Sequence, residues 1–534
     1  MTEQQPTPPP PANRKGILRR PNVLLVTFDQ WRADHLGALG SPLPITPNVD
    51  ALAAHGVTFA GHYSATAPCG PSRTSMLTGR HLMGHRAVNN GTPLSAELPT
   101  LPRLMQDAGY DPVLFGYTDT TLDPRLLAPD DPRRSSWEQP MPGFRAGRAT
   151  GDDVGVNVDT AAATWLAWMA ERGHPFDDVW SAYGVADLPD SESAMADRPA
   201  PYPAELSPAA HLTDETIDYV RGRREPWFAH LTYLQPHPPF VLPEEWFGFI
   251  DPNDVGAPNR LADRAAESAI HPLLATFLSI PQLTEPDEWG NARWRATYAS
   301  MVAEVDHQFG RLLDVLDADG QADDTLVIVT SDHGEQLGDH WLRHKLGWFP
   351  ESYHVPLVMR WPAAQRTADG APPQAATVRS FTGHVDLLPT ILDAVSQPEG
   401  EGAPTSRPAL EEQLDGASLL GHLTGNPAAA PQRRAAHWEW DFRDPQHRLP
   451  EAALGLGLDR CSLVARRSDD WLTVTFSGAP TMPPLAFELT TDPGCHVDRS
   501  GDPDVAPALL EATRDTLAWR LRNTRGPLVN ELAR

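Results

Sequence analysis

Several features that would narrow the function of this chain are scarce or missing. Its 534 residues include only three cysteines, Cys69, Cys461 and Cys495, which are too few for a disulfide framework. No apolar run is long enough to cross a bilayer. The first 20 residues are rich in proline and polar side chains, without the hydrophobic core of a signal peptide. These absences predict a cytoplasmic protein with a disordered tail over residues 1–20 and no membrane partner.

Basic residues are also in the minority. The chain has 43 Lys and Arg against 70 Asp and Glu, so its formal net charge is −27. A strongly acidic surface repels nucleic acid and anionic lipids, and neither is an expected partner. A chain of this length can bury an extensive core, so the composition is typical of a large enzyme of two or three domains.

Two short apolar runs each end at an acidic residue. The run VLLVTF near the start of the chain is followed by Asp29 and Gln30, and the run LVIVT is followed by Asp332 and His333. Continuous apolar runs are typical of central strands that are covered on both faces. Ligands bind at the carboxyl ends of such strands, so both segments are expected to meet around one metal ion. Capping of the next loop is the alternative role of a single Asp at a strand end.

Cys69 begins the segment CGPSRTSMLTGR, which is the most informative stretch of the sequence. Pro71 suits the first position of a helix, and Gly79 followed by Arg80 is a typical helix end. A residue just before a helix faces free backbone N–H groups and the positive end of the helix dipole. The thiol pKa is therefore expected to be lowered, and an oxyanion is expected to bind there. A buried structural cysteine is the alternative.

This segment resembles the signature of the sulfatases of the alkaline phosphatase superfamily, Cys-x-Pro-Ser-Arg followed by Leu-Thr-Gly-Arg. The resemblance implies that a formylglycine-generating enzyme converts Cys69 to formylglycine, an aldehyde whose hydrate attacks sulfur or phosphorus in a small anionic ester. It also implies an α/β sandwich with a large, mostly parallel central sheet flanked by helices. A small C-terminal antiparallel sheet with a helix completes the expected fold.

The residues after the two predicted strands are similar to the metal ligands of one branch of this family, the phosphonate monoester hydrolases and promiscuous arylsulfatases. The resemblance implies that Asp29, Gln30, Asp332, His333 and processed Cys69 bind one divalent cation. Carboxylate and amide oxygens suit Ca²⁺, Mg²⁺ or Mn²⁺, and the imidazole favours Mn²⁺ among them.

The same resemblance implies three substrate contacts. Asn90, which precedes Gly91, is expected to bind the substrate oxyanion, although an Asn-Gly turn is the alternative. Tyr117 is a further expected contact. Asp119 stands where the relatives have a threonine, and this difference leaves the preferred ester open.

Three further residues are expected to act in catalysis. His237 lies in the proline-rich loop QPHPPF, and the resemblance implies that it protonates the leaving group. An ordinary imidazole pKa of about 6.5 suits this role at neutral pH. Arg73 and Lys345 are expected to stabilise the negative charge of the transferred group. A solvated surface cation is the alternative for each.

The order of predicted elements indicates a catalytic α/β domain over residues 21–397, with an insertion or mobile lobe at 147–203. A linker is expected at 398–431 and a small α+β domain at 432–534. The strands and helix of this second domain are expected at residues 462–466, 471–476, 487–489 and 505–522. The C-terminal arms of the relatives imply a homodimer or homotetramer.

Two other functions remain open. A metal-dependent phosphodiesterase would use the same site without formylglycine, and a non-catalytic anion-binding protein would bind sulfate or phosphate without turnover. The neighbours Cys495 and His496 are candidate metal ligands, but two residues are too few to predict a site.

Overall fold

The computed structural model of the chain describes residues 20–134, 136, 139–147, 158–188, 194–284, 288–363, 375–396, 413–444, 447–479 and 481–523. The predicted tail, except residue 20, and the first part of the predicted linker, 398–412, lie outside the described residues. The proposed domain boundaries stay predictions.

The strands form one large sheet, one two-stranded sheet and one small sheet. They are β1 (Asn22–Phe28), β2 (Val57–Phe59), β3 (His62–Tyr63), β4 (Pro112–Phe115), β5 (Arg145–Ala146), β6 (Phe228–Tyr233), β7 (Thr325–Ser331), β8 (Leu357–Arg360), β9 (Ala376–Val378), β10 (Thr382–Gly383), β11 (Ala436–Asp441), β12 (Ser462–Arg467), β13 (Trp471–Phe476) and β14 (Leu485–Glu488).

The α-helices vary from one turn to more than eight turns. They are α1 (Pro47–Ala54), α2 (Cys69–Thr78), α3 (Leu82–His85), α4 (Leu101–Asp107), α5 (Val158–Glu171), α6 (Val179–Tyr183), α7 (Pro208–Val220), α8 (Arg264–Ser268), α9 (Pro272–Leu278), α10 (Glu288–Ala318), α11 (Leu387–Val395), α12 (Leu420–Leu423), α13 (Leu449–Leu454) and α14 (Ala506–Asn523).

An eight-stranded sheet has the order β5-β4-β6-β1-β7-β8-β2-β9. Strand β8 is antiparallel to both of its neighbours, and the other pairs in this sheet are parallel. A second sheet, β11-β12-β13-β14, is antiparallel, and α14 contacts β12 and β13. The predicted fold class is confirmed.

The central strand β1 is buried on both faces of the large sheet. Leu24, Val26 and Phe28 belong to one hydrophobic cluster, and Val23 and Leu25 belong to another on the opposite face. This alternation follows from the two-residue period of a strand. The first cluster includes the helical apolar positions of α10, which are Tyr298, Val302, Val305, Phe309, Leu312 and Leu316.

The parallel pairing of β1 and β7 aligns their carboxyl ends. Phe28, the last residue of β1, is paired with Ser331, the last residue of β7. The next residues along the two strands are Asp29 and Asp332, so the register alone places these two acids together. This is the feature of the fold that positions the candidate site.

Candidate active site

Asp29 and Asp332 lie side by side at the edge of the central sheet, and both are fully buried. The backbone N–H of Gln30 donates to Oδ1 of Asp332 over 3.0 Å. Gln30 has a φ of 72°, a left-handed conformation that turns the chain sharply after β1. The structure therefore brings together the two acidic segments that the sequence predicted to meet.

Arg73 joins the two acids. Its Nε donates to Oδ2 of Asp332 and its Nη2 donates to Oδ2 of Asp29, both over 2.9 Å. Its Nη1 donates to the Tyr117 carbonyl and to the Thr232 hydroxyl over 2.8 and 2.6 Å. The guanidinium is fully buried, so in this structure it contacts these groups, and its predicted contact with the transferred group stays a prediction.

Cys69 is the first residue of α2, two residues earlier than the proline pattern predicted. The helix ends at Gly79, whose φ of 67° is the left-handed conformation typical of a helix end. All ten residues of α2 are buried. Cys69 is therefore buried inside the protein, beside the carboxyl ends of strands β1 and β7.

The expected lowering of the Cys69 pKa is wrong for this structure. Burial, followed by the negative charge of Asp29, raises the thiol pKa well above its usual range. The Sγ atom lies 3.1 Å from Nε2 of His333. Because the Nδ1 of His333 is 3.0 Å from the carbonyl of Gly334, Nδ1 carries the proton and Nε2 accepts from the thiol. The unmodified cysteine is a neutral thiol here.

The residues around Cys69 fit a divalent cation. One ligand atom from each of Asp29, Cys69, Asp332 and His333 lies within 4.8 Å of the others. Among the described residues, Oδ1 of Asp29 has no hydrogen-bond partner although it is buried. A buried carboxylate oxygen without a donor is costly, and a cation would satisfy it. The two carboxylates suit a hard divalent ion, and His333 adds one imidazole. The unmodified Cys69 thiol is a softer ligand, and the predicted ligand Gln30 is not among these four residues.

Gln30 and Lys345 interact at the side of this cluster. Lys345 Nζ donates to Oε1 of Gln30 over 2.8 Å, and Nε2 of Gln30 donates to Glu335. Burial acts to lower the Lys345 pKa, but the neighbouring negative charges, such as that of Asp29, raise it overall. Lys345 is therefore a fixed cation beside the cluster, and its amide partner Gln30 holds it there.

Tyr117 and Asp119 border the cluster on the side of β4. The Tyr117 hydroxyl donates to Oδ2 of Asp29 over 2.5 Å, and the guanidinium of Arg73 lies 4.2 Å from the centre of the Tyr117 ring. Asp119 has a φ of 50°, and its Oδ2 is 3.9 Å from Nε of Arg73. In this structure Tyr117 orients a candidate metal ligand, and its contact with substrate stays a prediction.

The backbone at the start of α2 packs closely against Asn90 and Asp119. Oδ1 of Asn90 accepts from the backbone N–H of Gly70 over 3.0 Å. A Cβ atom at residue 70 would lie 2.8 Å from the carbonyl oxygen of Asp119 and 3.1 Å from Oδ1 of Asn90. Only glycine fits this position without displacing the backbone. Asn90 and Asp119 therefore form part of the wall around residue 69.

His237 is half-buried in the loop after β6. Its Nδ1 lies 2.8 Å from the carbonyl of Pro238, so Nδ1 carries a proton and Nε2 keeps its lone pair. Burial, followed by the positive charge of Lys345, lowers the His237 pKa to about 4. The expectation of an ordinary imidazole pKa is therefore wrong for this structure, in which His237 is neutral at pH 7. Its role in leaving-group protonation stays a prediction.

Two buried groups behind the cluster were missed by sequence reasoning. Glu335 accepts from Gln30 and from the backbone N–H of His344. His384 lies 3.1 Å from the hydroxyl of Ser72, which in turn donates to the Asp332 carbonyl. Glu335 follows Asp332 by three residues, but His384 comes from a remote segment and carries no local signal. Through these hydrogen bonds, Glu335 and His384 keep residues that line the cluster in place.

Comparison with known proteins agrees with this arrangement. Residues 21–397 match the sulfatase family, and this region covers more than half of the chain. The chain belongs to the sulfatase family. It is also 36% identical over 526 residues to the multifunctional alkaline phosphatase superfamily protein PehA of Trinickia caryophylli, covering 94% of this chain and 96% of PehA.

Two solved structures resemble this sulfatase family member over nearly its whole length. The phosphonate monoester hydrolase of Agrobacterium radiobacter has a TM-score of 0.82 and 36% identity, covering 94% of this chain and 96% of that one. The phosphonate monoester hydrolase of Silicibacter pomeroyi has a TM-score of 0.82 and 35% identity, covering 96% and 97%. The predicted family is confirmed.

The family assignment makes this chain a hydrolase and agrees with the chemistry of the cluster. Within the part of the chain that the structure describes, no helix is both long and apolar enough to cross a membrane.

Proposed function

We propose that this sulfatase family member hydrolyses sulfate monoesters, phosphonate monoesters or phosphodiesters. The observation that supports this most is the buried convergence of Cys69, Asp29, Asp332 and His333 within 4.8 Å. The resemblance to two phosphonate monoester hydrolases over nearly the whole chain favours the phosphorus esters among these substrates.

The chemistry requires Cys69 to be modified. Formylglycine at this position would supply the hydrated aldehyde that attacks sulfur or phosphorus, and a formylglycine-generating enzyme is the proposed maturation partner. Without a bound cation the pKa of the unmodified thiol is raised, and a neutral buried thiol is a poor nucleophile.

A divalent cation would be held by Asp29, Asp332, His333, the side-chain oxygen of Gln30 and modified residue 69. It would lower the pKa of the attacking oxygen and neutralise charge on the ester. Mn²⁺ is the proposed ion, and Ca²⁺ and Mg²⁺ are alternatives with the same oxygen preference. The amide oxygen of Gln30 accepts from Lys345 in this structure, and its second lone pair remains for the ion.

The chain's own residues divide into two groups in this proposal. Arg73 and Tyr117 hold the carboxylates of Asp29 and Asp332 in place through hydrogen bonds of 2.5 to 2.9 Å. Lys345, held by Gln30 through one of its three N–H donors, stabilises negative charge on the transferred group. His237 protonates the leaving oxygen, and a bound anionic ester beside it would raise its pKa from about 4 toward the working range.

Asp119 favours singly charged esters in this proposal. Its carboxylate adds a negative charge 3.9 Å from Arg73, beside the start of α2 where the ester would bind. A doubly charged phosphate monoester is repelled more strongly than a sulfate monoester, a phosphonate monoester or a phosphodiester. The variant Asp119→Thr should therefore gain most in kcat/KM toward phosphate monoesters.

The proposed activity is tested by comparing kcat/KM for an aryl sulfate, an aryl phosphonate monoester and an aryl phosphodiester on one preparation. Intact-protein mass measures conversion of Cys69 in the same preparation, because conversion of the thiol to the aldehyde lowers the mass. We expect activity to rise in proportion to conversion and to vanish in Cys69→Ala. Full activity in unconverted protein would instead support the metal-dependent phosphodiesterase, and anion binding without turnover after full conversion would support the non-catalytic alternative.

A homodimer or homotetramer is part of the proposal. Leu510, Leu517 and Leu521 of α14 are 51%, 57% and 65% exposed, and their spacing places them on one face of the helix. Light scattering on Leu517→Glu should give a smaller assembly than the parent. The cytoplasmic location stays a prediction.

A further inference from the structure

A second group of metal-ligating side chains lies away from the candidate active site. Glu267 belongs to α8, His340 lies in the segment between β7 and β8, and His496 follows β14. One ligand atom from each lies within 4.8 Å of the other two. His496, which with Cys495 gave too few ligands for a site, thus gains two partners from distant parts of the chain, and Cys495 is not among the three.

Glu267 and His340 are joined by a hydrogen bond. Nδ1 of His340 lies 2.7 Å from Oε1 of Glu267, and both residues are fully buried. Oε2 of Glu267 accepts from the backbone N–H of Leu261 over 2.8 Å. The imidazole of His340 stacks on Phe349 with ring centres 3.5 Å apart. These contacts fix one carboxylate oxygen and one imidazole nitrogen next to each other.

One ring nitrogen of His496 lacks a partner. Its Nε2 lies 2.7 Å from Oδ1 of Asn259, and the amide nitrogen of Asn259 lies 3.3 Å from the Gly494 carbonyl. The amide oxygen therefore faces the imidazole, which donates from Nε2 and leaves a lone pair on Nδ1. This Nδ1 is buried and has no hydrogen-bond partner among the described residues. Burial of such a lone pair is costly unless something fills its place.

We propose that Glu267, His340 and His496 bind a transition-metal ion, with Zn²⁺ as the best match. Two imidazoles and one carboxylate are a donor set that Zn²⁺ binds readily. The ion would take the place of the proton between Glu267 and His340, and that proton would move to Nε2 of His340, so that a neutral imidazole binds through Nδ1. Ligand atoms in a tetrahedral zinc site lie roughly 3.3 Å apart, so small side-chain rotations gather the three.

The position of this site gives it a structural role. His340 lies between Asp332 and Lys345, on the segment that carries one wall of the candidate active site. Its φ of 54°, like the φ of 56° at Cys495, is a left-handed conformation that needs support from its surroundings. An ion bound to His340 and His496 would fasten this segment to the loop after the C-terminal sheet.

The test is the zinc content of the full chain after loading with ZnCl₂ and removal of free metal. We expect His496→Gln to hold one Zn²⁺ per chain fewer than the parent, whatever the active site binds. The control His447→Gln replaces an exposed histidine, with a side chain 70% accessible, and should match the parent. Equal zinc content in the parent and His496→Gln would overturn the proposal.

A spectroscopic measurement keeps the test decisive if His496→Gln does not fold. Co²⁺ bound with two imidazoles in a tetrahedral site absorbs strongly in the visible region, whereas an oxygen-rich six-coordinate site absorbs weakly. The folded parent is expected to develop strong absorption with Co²⁺, and Glu267→Gln is expected to lose it. A parent without this absorption, or a Glu267→Gln variant that keeps it, would contradict the site.

Discussion

The hydroxyl of Tyr117 donates a 2.5 Å hydrogen bond to Oδ2 of Asp29, and the other oxygen of that carboxylate faces the cluster without a hydrogen-bond donor among the described residues. Tyr117 thus fixes the direction in which Asp29 offers its second oxygen. A residue that orients a metal ligand in this way contributes to metal affinity without touching the metal.

The variant Tyr117→Phe should therefore bind Mn²⁺ about 10-fold to 100-fold more weakly than the parent, because Asp29 loses the bond that orients it. Titration of the metal-free proteins with Mn²⁺ measures this difference. As a control, Tyr110→Phe removes a hydroxyl that donates to the Pro21 carbonyl, away from the cluster, and should not change Mn²⁺ affinity. Equal affinity in Tyr117→Phe and the parent would remove Tyr117 from the site.

Removal of the cation should destabilise the protein. Oδ1 of Asp29 is buried and has no hydrogen-bond partner among the described residues, so without an ion the cost of burying this carboxylate oxygen is not offset. Mn²⁺ at 100 times its Kd should raise the free energy of unfolding by about 2.7 kcal/mol. In Asp29→Asn the stabilisation by Mn²⁺ should be smaller by at least about 1.4 kcal/mol, which corresponds to tenfold weaker Mn²⁺ binding. Chemical denaturation with and without Mn²⁺ measures both values, and an undiminished gain in Asp29→Asn would place the ion elsewhere.

Gly70→Ala should damage the start of α2. The added methyl group would lie 2.8 Å from the Asp119 carbonyl oxygen, so the wall around residue 69 must move at a cost of roughly 1–3 kcal/mol. Gly256→Ala is the matched control, because no atom lies within 4 Å of its added methyl group. The free energies of unfolding and kcat of both variants test this prediction. It fails if Gly70→Ala is as stable and active as the control.

Stability should fall in mild acid because buried histidines are neutral. Burial, followed by repulsion from the neighbouring basic side chains of His81, Arg80 and Arg86, lowers the His85 pKa to about 3. Below pH 6.5 the unfolded chain binds a proton at His85 and the folded chain does not. The contribution of His85 to the free energy of unfolding is therefore complete above pH 6.5 and is lost as the pH falls toward 3. For His85 the loss between pH 7 and 5 is on the order of 2 kcal/mol.

His85→Gln isolates this contribution. His85 accepts from the backbone N–H of Ala87 at Nδ1 and lies 2.9 Å from the Ser75 hydroxyl at Nε2. The variant cannot titrate, so urea denaturation should show a smaller loss of stability between pH 7 and 5 than in the parent. An identical loss in both proteins would mean that His85 is not neutral and buried in the folded state.

Local patterns were sufficient to predict the main parts of the site. The apolar runs before Asp29 and Asp332 identified central strands, and parallel strands deliver their carboxyl ends to one edge. The segment from Cys69 to Arg80 predicted both a helix and the family. These inferences needed only short stretches of sequence. A strand that is buried on both faces and a helix terminus each have a recognisable local sequence pattern.

Contacts between distant segments were not predictable in this way. Nothing near Gln30 indicates that its amide accepts from Lys345, and His384 reaches the site from a segment without a motif. The pKa values of Cys69 and His237 also depended on burial, which no local pattern specifies. Strand β11 was missed although its sequence, AHWEWD, alternates apolar and polar residues, a pattern that is typical of a half-buried strand.

The most direct test of the central claim is a crystal structure of the converted protein with Mn²⁺, with anomalous scattering used to locate the ion. The account predicts an anomalous peak at coordination distance from Asp29, Asp332, His333 and modified residue 69. Absence of a peak among these four residues, in crystals whose Mn²⁺ content has been measured, would contradict it.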